Sequence, residues 1–108
     1  GNLEAQRDYT DVRDMVRAYL LAVEKCDPGD VYNIAVGRAI RIGDMLKLLL
    51  SFTKSKVTTQ EDPARMRPSD VPVLVGDNSK FVTKTGWKPE VTFEKTMEDL
   101  LNYWRARV

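Results

Sequence analysis

The chain has 108 residues, 43% of them apolar and 31% charged, with a formal net charge of +1. That length fits one small domain, residues 1–108, of ordinary globular composition, and is too short for two. The near-zero charge speaks against a general nucleic-acid surface, which needs a concentrated basic face, and no apolar run approaches the roughly 20 residues of a membrane span.

Histidine is absent and Cys26 is the only cysteine. Ser-His-Asp and Cys-His catalysis, an intrachain disulfide and the usual zinc sites therefore fall away. The start, Gly1 to Asp8, is polar and charged, unlike a signal peptide, so a soluble, cytoplasmic protein is expected.

In chain order, Val12, Met15, Val16, Tyr19, Leu20 and Val23 recur at helical spacing and predict an amphipathic helix over 11–25. Thr10 or Asp11 supplies its N-cap, and Asp11 and Asp14 suit its positive end. Asp27-Pro28-Gly29-Asp30 stops it. Val31 to Val36 is a β-prone run with little polar alternation, as in a strand buried on both faces. A second helix is predicted from about Ile42 to Thr53, with Met45, Leu46, Leu49 and Leu50 inward. Lys56 to Gln60 reads as a short strand, Glu61 to Val71 as loop, and Pro72 to Val75 as a brief extended piece. Asp77 caps a short helix that ends before Gly86, and Thr92 caps a last helix carrying Phe93, Met97, Leu100, Leu101 and Trp104. The result is an α/β class: a small mixed domain of three or four helices and a few short strands. A strand as apolar as Val31 to Val36 belongs in the centre of a sheet, yet few strong strands are available to flank it.

Three arginine clusters stand out: Arg7 with Arg13 around the first helix, Arg38 with Arg41 after the apolar run, and Arg65 with Arg67 in the loop. A guanidinium fork donates two parallel hydrogen bonds to a phosphate and stays charged. Asp70 is placed to accept from paired ribose hydroxyls, as acids do in dinucleotide sites. Taken singly, these arginines also read as ordinary surface charge, Asp11 and Asp14 as helix-start residues, and Tyr9, Tyr19, Trp87 and Trp104 as packing residues. The glycines are scattered, with no G-x-G-x-x-G run and no Walker A sequence. The residues alone reach an anion site and stop there.

Together, Gly1-Asn2-Leu3-Glu4-Ala5-Gln6-Arg7-Asp8, Val31-Tyr32-Asn33-Ile34, Met66-Arg67-Pro68-Ser69-Asp70-Val71-Pro72 and Gly86-Trp87-Lys88-Pro89 resemble the C-terminal part of GDP-sugar-modifying extended short-chain dehydrogenases. The ordered set resembles the GDP-mannose 4,6-dehydratase and GDP-4-keto-6-deoxymannose reductase group, with Asp70 favouring the reductase side. The resemblance implies the C-terminal part of a Rossmann-type NAD(P)-binding fold. It also implies that Arg7 contacts the GDP diphosphate, that Arg67 meets phosphate or ribose, that Asp70 takes the ribose hydroxyls, and that Asn2 and Leu3 lie along the guanosine wall. Ala35-Val36-Gly37 departs from the Gly-Ser-Gly common in relatives, so a bulkier turn is expected there.

A complete relative binds NAD(P) through a glycine-rich turn and carries a Ser/Thr, a tyrosine and a lysine for proton and hydride transfer. This sequence has neither, so no cofactor, no catalytic residue and no turnover by the chain alone are expected, and the chain reads as part of a longer enzyme. Each charge-assisted hydrogen bond lost with the rest of the site is worth roughly 1.5–3 kcal/mol. GDP-sugar affinity is therefore expected in the millimolar range at best, because two such losses weaken binding by a factor on the order of 100 or more. The competing expectation is a stand-alone structural or interaction module without nucleotide affinity, self-associating through exposed sheet or helix surface.

Overall fold

The computed structural model describes residues 1–68 and 71–108. Among them, four helices and three short strands follow the order β1 (Gln6–Asp8), α1 (Val12–Lys25), β2 (Ala39–Arg41), α2 (Ile42–Ser51), β3 (Val73–Leu74), α3 (Ser79–Thr85) and α4 (Phe93–Arg105). A 3-10 turn at Pro63–Arg65 lies between α2 and β3. The sheet is mixed, in the order β2-β1-β3. β1 runs antiparallel to β2, with Arg7 opposite Ile40, and parallel to β3, with Arg7 opposite Leu74. No helix among the described residues is long and apolar enough to cross a membrane.

The caps account for the helix boundaries. Asp11 accepts from the Arg13 N–H at 2.8 Å to open α1, and Thr92 accepts from the Lys95 N–H to open α4. The carboxylate of Asp77 accepts from the Ser79 N–H at 2.9 Å, although Asn78 is the capping position of α3. Gly86, at φ 71°, ends α3 in the left-handed conformation that a side chain disfavours. α2 stops at Ser51, short of Thr53, where Phe52 and Thr53 fold back onto the Leu49 and Leu50 carbonyls.

Two expected strands do not form. Val31 to Val36 joins no sheet, because side chains take the place of a neighbouring strand. The Asp8 carboxylate accepts from the Val36 and Gly37 N–H groups, the Asn78 amide donates to the Ala35 carbonyl, and Lys80 donates to the Val31 carbonyl. The run still alternates in burial: Tyr32 and Ile34 pack on the core while Val31 and Asn33 face out. Lys56 to Gln60 is exposed at each position and joins no ladder, with no buried apolar face to set a register. Conversely, β1 and β2 form from Gln6–Asp8 and Ala39–Arg41, stretches not expected to be strands.

The core is small. Ala18, Phe81 and Trp87 form its centre, with Leu21, Ala22, Tyr32, Ile34 and Val82 packed around it. Phe81 meets Trp87 and Tyr32 edge-on, at ring separations of 5.9 and 6.2 Å. The helix predicted over 11–25 is present, but its apolar stripe is turned outward. Asp14 and Ala18 are its buried residues, whereas Val12, Val16, Tyr19, Leu20 and Val23 remain between 54% and 87% exposed. Small and polar residues fill the inner face because that face seats Trp87, whose indole N–H donates to the Asp14 carbonyl at 3.1 Å. The molecule is correspondingly open: its radius of gyration is 16.8 Å, against about 13 Å for a compact chain of this length.

Ala35 is buried and lies so close to Gly76 that a Cβ added at Gly76 would stand 2.5 Å from the Ala35 Cβ. The Ala35 side chain is thus accommodated by the bare backbone of Gly76.

Asp14 ties α1 to the segment that leads into α4. Its carboxylate accepts from the Glu90 and Val91 N–H groups, both at 3.0 Å, and from Arg17 at 2.9 Å. Burial pushes its pKa up, but the two backbone N–H groups and Arg17 outweigh burial and hold it below the ordinary 3.8. The Arg13 side chain, against the opposing effect of burial and with help from Thr96, holds Asp11 lower still. Both groups thus confer stability that is complete above the ordinary carboxylate value and is lost as the pH falls through the depressed ones. The urea midpoint is expected to fall as the pH drops below about 4. Asp14→Asn should lower stability at neutral pH by about 2–3 kcal/mol and flatten that acid limb, both read from urea titrations.

Candidate functional site

Central strand β1 sends alternate side chains to opposite faces. Asp8 turns to the loops and accepts from the Val36, Gly37 and Gly76 N–H groups at 3.0, 2.8 and 3.3 Å. Arg7 lines an open cavity of about 290 Å³ together with Gly1, Asn2, Leu3, Ile42, Arg65 and Arg67. The N-terminal residues reach the cavity wall because the first turn of α2 holds them. The Gly43 N–H donates to the Leu3 carbonyl at 2.8 Å and the Ile42 N–H to the Ala5 carbonyl at 3.0 Å. Asn2 folds its side-chain oxygen onto the Glu4 N–H at 2.9 Å.

Four of the five residues singled out from the sequence, Asn2, Leu3, Arg7 and Arg67, therefore share one cavity. The fifth, Asp70, lies outside the described residues. Arg65 and Ile42 line the same space and were not among the five. Arg65 was visible in the sequence as part of a basic cluster, but only the 3-10 turn at Pro63–Arg65 brings it to the rim.

The guanidinium groups differ in how firmly they are held. Arg7 donates to the Gln6 carbonyl at 2.8 Å and to the Val71 carbonyl at 2.7 Å, which fastens the far end of the loop to β1. Arg65 sits 3.4 Å from Asp62. Arg67 is exposed and makes no hydrogen bond or ion pair among the described residues. Arg13, by contrast, is paired with Asp11 and Asp99, and Arg41 with Glu4 and Asp44, so neither faces the cavity as a free cation. Three arginines stand around one opening, with no carboxylate among the described lining residues, an arrangement that suits an anionic group.

A second cavity of about 380 Å³ adjoins the first across Gly1, Asn2 and Leu3 and is otherwise lined by Glu4, Leu46, Thr59, Gln60 and Glu61. A third, of about 310 Å³, lies apart from both, between Tyr9, Ile40 and the start of α4, with Arg38 at its edge. Among the described residues no three His, Cys, Asp or Glu side chains gather in a group suited to a metal ion. The glycines with positive φ, Gly29, Gly37 and Gly86, stand in separate turns, and β2 passes into α2 with no glycine-rich loop between them.

Comparison with known proteins gives these features a context. A family profile described as GDP-mannose 4,6 dehydratase matches residues 1–100. The GDP-6-deoxy-D-mannose reductase of Pseudomonas aeruginosa is 32% identical over 108 residues, which cover 100% of this chain and 36% of that protein. The solved structure of RMD from Pseudomonas aeruginosa, complexed with NADPH, superposes with a TM-score of 0.92 at 29% identity, over 100% of this chain and 35% of that one. A UDP-glucose 4-epimerase from Thermotoga maritima, solved with UDP-glucose, gives a TM-score of 0.75 at 34% identity, over 99% of this chain and 34% of its own. The chain thus spans about a third of the length of the proteins it matches.

The different anchoring of the arginines has a measurable consequence. Arg7→Ala, which frees the Val71 carbonyl, should lower stability by about 1 kcal/mol. Arg67→Ala should leave it within about 0.5 kcal/mol of the parent. Urea unfolding of the two variants side by side checks this.

Proposed function

The chain belongs to the GDP-mannose 4,6-dehydratase family, and from that premise we propose that it grips the GDP end of a GDP-sugar and performs no chemistry by itself. One observation carries the reading: Asn2, Leu3, Arg7, Arg65 and Arg67 converge on a single cavity. Arg7 and Arg67 take the diphosphate, each with a fork of donors that stays charged. Asn2 and Leu3 flank the guanosine, and Asp70 accepts from the ribose hydroxyls. The names of the relatives point the same way, since GDP-6-deoxymannose in one and UDP-glucose in another are both nucleoside diphosphate sugars. NAD(P) is assigned no seat in this chain, because its glycines stand in separate turns rather than in one phosphate-cradling run.

Titration of the isotopically labelled chain with GDP and GDP-mannose, followed by NMR, tests the proposal. Saturable shifts near Arg7 and Arg67 with millimolar affinity are expected, and these should vanish in Arg67→Ala. The absence of shifts at millimolar ligand would overturn it.

A second reading, self-association without nucleotide binding, is favoured by the outward stripe of α1. Val12, Val16, Tyr19, Leu20 and Val23 lie on one side of the helix and are largely exposed, and such patches commonly mark interaction surfaces. On this reading sedimentation velocity gives a dimer that Leu20→Glu converts to monomer. A monomeric parent chain at high micromolar concentration would sink it.

A further inference from the structure

Arg41 stands where helix electrostatics does not favour a cation. It is the capping position of α2 and its side chain makes no capping bond, and a positive charge is unfavourable beside the positive end of a helix. The side chain is nonetheless held, at 27% exposure. A Cβ added at Gly43 would stand 2.7 to 2.9 Å from three atoms of its guanidinium, so the group rests on bare backbone. The fork donates to Glu4 at 2.7 Å and to Asp44 at 3.0 Å. Asp44, in the first turn of α2, offsets the charge at the helix end. Glu4 lies outside the helix, and its capture needs another account.

Glu4 follows Leu3, lines the cavity next to the arginines and is three positions from Arg7. Three residues span at most about 11 Å between Cα atoms, not far beyond the screening length at physiological salt, about 8 Å. A carboxylate released at this place would compete with an anionic ligand for the guanidinium groups. The Gly43 N–H, beneath Arg41, donates to the Leu3 carbonyl at 2.8 Å, so the same few residues fix both the cavity wall and the acid beside it. We propose that Arg41 is a positioning residue: by engaging Glu4 it keeps that carboxylate away from Arg7, Arg65 and Arg67 and leaves the three cations to a diphosphate. The proposal rests on the nucleotide-sugar reading above and adds to it the residue that keeps the opening positive.

The test is an NMR titration of the full labelled chain with pyrophosphate and with GDP at low ionic strength. Arg41→Ala should weaken both by roughly fivefold, the worth of an exposed ion pair. Glu4→Gln alone should leave affinity within about twofold of the parent, and adding it to Arg41→Ala should restore the parent affinity. Glu98→Gln in the Arg41→Ala background gives the same net charge on α4, away from the lining residues, and should restore nothing. Arg41→Gln, which keeps a polar side chain over Gly43, is read in the same way and guards against a loss of fold in the alanine variant. Parent-like affinity in Arg41→Ala, weakening that persists with Glu4→Gln, or rescue by Glu98→Gln would each overturn the proposal while the nucleotide reading stands. If the parent chain binds neither pyrophosphate nor GDP, both fall.

Discussion

The Asp14 carboxylate lies against the backbone that runs from Trp87 to Val91, accepting from the Glu90 and Val91 N–H groups while the indole of Trp87 reaches the carbonyl of the same residue. Without that seat the inner face of α1 would have little to offer α3 and α4, because Ala18 is its only fully buried apolar side chain. Asp11, one turn earlier, holds the Thr96 hydroxyl of α4 at 2.6 Å, and Asp8 holds the Val36, Gly37 and Gly76 N–H groups. Three acids within one seven-residue stretch thus fasten most of the remaining chain. In a molecule with so thin a core, hydrogen bonds to charged groups replace part of what apolar burial does in a thicker one.

This dependence explains what the sequence made legible. The helices carry local records, a cap side chain at Asp11, Asp77 and Thr92 and a 3.6-residue rhythm in the longer ones, and all four formed near their expected limits. The side of α1 that faces inward carried no such record. Five large apolar residues outline the outer stripe, whereas the inner one is written in Asp14 and Ala18, whose role appears only when Trp87 arrives from the far end of the chain. The run from Val31 to Val36 misled for a related reason. Its composition suits a strand, but pairing is a property of neighbours, and its neighbours are side chains of Asp8, Asn78 and Lys80. β1 and β2, three residues each, were too short to show any alternation.

The cavity residues divide along the same line. Asn2, Leu3, Arg7 and Arg67 were singled out through the resemblance of their ordered motifs, and the fold brings them to one opening although Arg7 and Arg67 are 60 positions apart in the sequence. Arg65, Gln60 and Glu61 had no motif to mark them. They reach the two adjoining cavities through the course of the 53–62 connection and the 3-10 turn after it, which no periodicity records. β1 separates the two tasks by its pleat: Arg7 on one face belongs to the cavity, and Asp8 on the other belongs to the scaffold.

The ties made by Asp8, Asp11 and Asp14 also differ in how much chain they must close. Asp8 reaches Val36 across 28 residues, whereas Asp14 reaches Val91 across 77. Closing the longer loop from a flexible chain costs about 0.9 kcal/mol more in entropy. Loop entropy therefore favours engagement of the near partners of these carboxylates over the distant ones. Contacts between distant segments, the feature that slows folding in sheet proteins, thus hold this largely helical chain together as well.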